Sequence, residues 1–139
     1  MQTLTLGELI VEVKCAIDNG AKTIGTLQHS YDSSKRLYSI PDKFFSWRGN
    51  YEDLAFSYKN STTPLAIEEF LAMLEKQIDS VHEGYKGGDY LMDANTLVYI
   101  SSYGAGYASN IERVIVHRGV AEIQTIETQA IETQTAFED

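Results

Sequence analysis

The sequence predicts an α+β domain, an antiparallel β-sheet with two main helices packed on it. Three observations carry that expectation. Two stretches, one from about 5 to 19 and one after Thr63, repeat apolar residues at helical spacing. Between and after them lie short β-branched and aromatic segments, separated by Gly, Pro, Asn and Asp. The 139 residues, 43% of them hydrophobic, suit one compact domain that buries its own core without a staple.

Thr5-Leu6-Gly7-Glu8 has capping-box spacing, and Leu6, Leu9, Ile10, Val13, Ala16 and Ile17 follow on one helical face. Asn19-Gly20 offers a left-handed stop. Thr23 to His29 reads as a strand, with a turn at Asp32-Ser33-Ser34 and a partner strand over Arg36 to Ile40. Pro41-Asp42 is expected to break that strand. Leu54 to Tyr58 reads as a strand and Lys59 to Thr63 as a polar loop. Thr63-Pro64 is expected to start the second helix, with Ile67, Phe70, Leu71, Leu74 and Ile78 as its apolar stripe and an end near 81 to 84. Gly87-Gly88 marks a turn or bulge; Tyr90 to Met92, Leu97 to Ser101 and Ile111 to His117 read as strands. The domain is expected to span 1–118. Residues 119–139 hold five acids and no base and repeat IETQ, which reads as an acidic segment, helical, frayed or at a subunit interface.

The net charge is −9, of which the body 1–118 carries −4. This balance argues against a DNA or RNA polymer as partner, because such binding needs many phosphate contacts. A small phosphorylated ligand remains open, since two or three placed cations suffice. The start of the chain lacks a signal-peptide pattern, and there is no apolar run long enough for a membrane span. A cytoplasmic protein with no membrane partner is expected. Cys15 is the single cysteine, so no intrachain disulfide forms; its place in the helical pattern reads as a small buried hydrophobe.

His29, His82 and His117 have no metal-ligand spacing, and HExxH, Walker and GxSxG motifs are absent. No nucleophile and base are assigned, so the expectation is a binding protein without cofactor, not an enzyme. The aromatic stretch FFSWRGNYEDLAFSY, 44 to 58, sets Arg48 and Gly49 between Trp47 and Tyr51. A guanidinium fork suits phosphate and nucleobase alike, and glycine lets a ligand approach. The alternative is a β-bulge with Arg48 lying over aromatic core residues. Tyr85, Lys86, Gly87 and Gly88 repeat the aromatic–cation–glycine theme, and Asn95 follows with an amide able to bond an adenine edge. Tyr103-Gly104-Ala105-Gly106 is either a plain hairpin loop or a backbone approach to phosphate. Arg113 and Arg118, five apart, would point to opposite faces of a strand regular to its end, so at most one joins a given pocket within one chain.

Three motifs carry a resemblance: SWRGxYxxLA over Ser46 to Ala55, EEFLxML over Glu68 to Leu74, and GYKGGDYxMDxxT over Gly84 to Thr96. Their order and spacing, across roughly 44–115, resemble the phage Thoeris anti-defence sponges of the first described type. The resemblance implies a protein of the infected bacterial cytoplasm that binds a cyclic ADP-ribose isomer without cleaving it. It also implies a homo-oligomer, a dimer or hexamer, with separate sites for cyclic oligonucleotides. By position, Tyr85 and Asn95 match the family's aromatic and amide contacts, and Arg113 a phosphate-binding Arg. Arg48-Gly49 matches a second site at a subunit junction. The IETQ segment departs from the pattern. The chemistry of Tyr85, Lys86, Asn95, Tyr103, Arg113 and Arg118 agrees with such a ligand: a ring to stack on is worth about 1–3 kcal/mol per base, and cations meet the diphosphate. Two other classes stay in view, an enzyme hydrolysing a cyclic nucleotide and a phage structural or interaction protein with no small ligand.

Overall fold

The computed structural model of the protein describes residues 2–29, 36–47, 53–83, 88–102 and 107–126. Helix α1 (Leu6–Asp18) begins where the sequence places it. Thr5 Oγ1 accepts from the Glu8 amide at 3.1 Å, and Glu8 Oε1 accepts from the Thr5 amide at 2.9 Å. Leu6, Leu9, Val13 and Ala16 turn inward at helical spacing and are buried. Cys15, one residue off that stripe, is exposed, which corrects the expectation of a buried thiol.

The strands are β1 (Thr23–Ile24), β2 (Thr26–His29), β3 (Arg36–Ser46), β4 (Leu54–Ser61) and β5 (Leu65–Ala66). Helix α2 (Ile67–Gln77) follows, then β6 (Val81–Glu83), β7 (Asp89–Leu91), β8 (Val98–Ile100), β9 (Ser109–His117) and β10 (Val120–Thr125). Eight strands form one sheet in the order β2-β3-β4-β8-β9-β10-β1-β5, and β6 and β7 pair as a separate ribbon. The sheet is mixed, not purely antiparallel: β4 pairs β8 and β1 pairs β10 in parallel. Between β4 and β8 the chain runs through α2 and the β6–β7 ribbon, the long crossover that a parallel pair requires.

β2, at one end of that order, and β1, next to the other end, belong to one bent stretch of chain. Gly25 alone separates β1 from β2. Its φ of +133° is a conformation that only glycine adopts readily. Its amide bonds the Ala121 carbonyl at 3.0 Å, while a Cβ would stand 2.6 Å from the Ser39 carbonyl. The chain thus leaves the β10 side of the sheet and joins the β3 side, a corner made by a bend within a strand.

Several local expectations are corrected. β3 continues through Pro41; the irregularity between Pro41 and Phe44 absorbs the missing donor. β4 runs on to Ser61, since Lys59 and Asn60 pair with Ile40 and Ser39, so the polar loop is partly strand. Leu65 and Ala66 pair with β1, which delays α2 to Ile67; it ends at Gln77, with Ile78 extended and Asp79 left-handed at φ 64°. Residues 120–125, expected within the acidic segment, are a strand bonded to both β9 and β1. The fold therefore extends past 118, and the IETQ repeat after Ile126 lies outside the described residues.

The core lies between the sheet and both helices. Leu6, Leu9, Leu54, Phe56, Ile67, Phe70, Leu74, Met92, Val98 and Ile111 have no more than 1% exposure. Phe56 packs on Phe44 at 5.2 Å and on Phe70 at 5.7 Å between ring centroids. Within the aromatic stretch, Phe56 is core and Phe44 packs against it. The N-terminal residues are woven in as well. The Leu4 amide bonds the Ile111 carbonyl at 3.1 Å, and the Val98 amide bonds the Leu4 carbonyl at 3.0 Å. Thr3 Oγ1 accepts from the Ile111 amide at 2.7 Å. Residues 3–5 so fill the gap where β8 and β9 part.

Candidate functional site

Asn95 stands on a turn built from short-range bonds. Asp93 Oδ1 accepts from the Asn95 amide at 2.8 Å, and Thr96 Oγ1 accepts from the Asp93 amide at 2.9 Å. The turn is fixed in turn to the start of α1: the Leu6 and Gly7 amides donate to the carbonyls of Thr96 and Ala94 at 2.7 and 2.9 Å. Gly7 permits the approach, because a Cβ there would lie 3.1 Å from the Ala94 carbonyl oxygen. These bonds satisfy helix amides that would otherwise be free, so the turn doubles as a cap. Asn95 itself is exposed.

Trp47 is half-buried, and its ring lies 6.4 Å from that of Tyr99 at a tilt of 37°. Its amide donates to the Asp53 carbonyl at 2.8 Å, which joins the two ends of the 48–52 segment. Burial, and then the Asp53 carboxylate, raise the Tyr99 phenol above its ordinary value. Tyr58, deeper in the sheet, is pushed up further by burial, with Glu122 adding to the shift.

Arg113 is exposed on β9 and donates from Nε to Gln124 Oε1 at 2.9 Å, across the strand pair. Arg118 is not on the strand. It is the first residue of the two-residue turn to β10, at φ 52°, with Gly119 following at φ 81°. Arg118 lines a groove of about 470 Å³ between α1 and β9, together with Glu12, Cys15, Asn19, Val114 and Val116. Asn95 adjoins Gly7, whereas Arg118 adjoins Ala16 and Asn19, roughly 14 Å or more farther along α1. Within one chain these two predicted contacts are therefore apart. Tyr85, Lys86, Tyr103, Arg48 and Gly49 lie outside the described residues. Tyr107, next to the 103–106 segment, is 76% exposed.

Among the described residues no group of three His, Cys, Asp or Glu side chains is placed to hold a metal ion. No described helix is long and apolar enough to cross a membrane. Sequence reasoning missed the groove. Glu12 reads as a wet helix position, and a strand-edge amide leaves no mark in composition. The chain matches no family model, no curated protein and no solved structure.

Proposed function

We propose that this protein binds a cyclic ADP-ribose-type signalling nucleotide and sequesters it without degrading it, as a phage anti-defence protein acting on a Thoeris signal. The observation that supports the reading most directly is Asn95. Its side chain is exposed on a turn that is bonded internally and to α1. A side chain carried on a fixed turn needs little backbone rearrangement to meet a base edge, which favours affinity. The resemblance implies Tyr85 as the stacking ring, and the chemistry of Lys86 suits the diphosphate. Arg118 lies far from Asn95 along α1, so in this reading the diphosphate partner is Arg113, as the resemblance implies, or an arginine of a second subunit. Trp47 with Arg48 and Gly49 belongs in this reading to a second site, for cyclic oligonucleotides.

Incubation with a cyclic ADP-ribose isomer, then denaturation and mass spectrometry of the released ligand, tests it. A sponge returns the intact molecule, and a hydrolase returns product. At 100 times its dissociation constant the ligand is expected to add about 2.7 kcal/mol of stability. Unchanged melting with every isomer assigns the chain to a structural or interaction role instead.

A further inference from the structure

The groove between α1 and β9 presents an unpaired strand edge. His117 and Val120 flank the two-residue turn as a bonded pair, so Ile115 and Arg113 are the next residues to bond β10. The amides and carbonyls of Val114 and Val116 consequently point away from β10, toward α1. Ala121, opposite Val116, agrees with this phase, because its carbonyl accepts from Gly25 on the far side of β10. The Val114 amide is taken by Glu12 Oε1 at 3.0 Å. The Val116 amide and carbonyl have no partner among the described residues, and Val116 is only half-buried.

Charge and length define what fits there. Glu12 stands at one end with its second oxygen unbonded among the described residues, and Arg118 at the other. Both ends are bridged, by the Glu12–Val114 bond and by the Lys22 amide donating to the Gly119 carbonyl at 2.7 Å. A long strand therefore does not run through. From Val114 to Arg118 is ~13 Å of strand, and three extended residues span ~10 Å. The volume of about 470 Å³ is that of a small-ligand site.

We propose that this groove binds a short extended peptide with free termini, two or three residues long. Its backbone pairs with Val116, its ammonium group meets Glu12 and its carboxylate meets Arg118. Recognition through main-chain bonds gives affinity with little demand on side chains. The site is separate from the nucleotide reading and does not involve Asn95.

The test is an NMR titration of the full chain with trialanine, followed at the backbone amides. The Val116 resonance is expected to move saturably. Glu12→Gln and Arg118→Gln are each expected to weaken binding at least tenfold. Gln at 12 keeps an oxygen for the Val114 amide, and Gln at 118 replaces one non-glycine residue by another, so unchanged spectra elsewhere verify the fold. Trialanine acetylated and amidated at its ends is expected to bind at least tenfold more weakly. A Val116 resonance unmoved by millimolar trialanine overturns the proposal and leaves water as the occupant. Equal binding of free and blocked peptide overturns it as well.

Discussion

Asn95 keeps its side chain in solvent because the polar groups around it are bonded elsewhere. Asp93 and Thr96 close the turn, and the carbonyls of Ala94 and Thr96 cap α1. Asn95→Ala is therefore expected to leave the melting temperature unchanged and to weaken nucleotide binding at least tenfold, about 1.4 kcal/mol. Wild-type affinity in that variant would remove the residue from the site. His82 makes a second expectation at this scale. Burial holds its imidazole below the ordinary value of 6.5, and its Nε2 lies 2.8 Å from Gln77 Oε1. The unfolded chain then takes the proton first. The stability that the neutral ring contributes is full above pH ~6.5 and is lost as the pH falls through that value toward the folded one. Wild type is expected to lose more stability than His82→Gln between pH ~7.5 and ~5.5; parallel curves would assign the acid loss to other groups. Such a shift was not legible in the sequence, because it arises from burial in a ribbon whose pairing is a tertiary event.

At the scale of elements, α1 was the most legible, since its capping box and apolar stripe are local signals. The limits of α2 were not. Thr63-Pro64 carries a good start signal, but Leu65 and Ala66 gain ladder bonds to β1 instead, and tertiary pairing overrode local preference. The same cause hid β10. Five acids after residue 118 read as a tail, while Ala121 and Ile123 alternate inward on a half-buried strand. Arg118-Gly119 was the available turn signal, but its left-handed first residue is not glycine or asparagine. Gly25 is the position where element geometry depends most on one residue. Gly25→Ala combines a strained φ, about 1–3 kcal/mol, with a contact at 2.6 Å against backbone. The expected loss is at least ~2 kcal/mol by chemical denaturation; a change below ~0.5 kcal/mol would mean that the corner shifts freely.

For the whole molecule, the sheet joins residues from every part of the sequence. The α+β class and its two helices were legible from periodicity; the parallel pairs were not, because strand order is set by which edges meet and leaves no pattern within a strand. Deletion of residues 1–5 is expected to abolish cooperative unfolding, since Thr3, Leu4 and Thr5 occupy the place of a strand between β8 and β9. A truncated chain that still melts in one sharp step would show that β8 and β9 close the gap unaided. The seat of those first residues has a temporal meaning on the ribosome. Residues 3–5 emerge well before their partners, and their berth does not exist until the chain beyond Ile111 has also emerged. Early synthesis must leave them waiting, and the native arrangement locks only once β9 has left the ribosome.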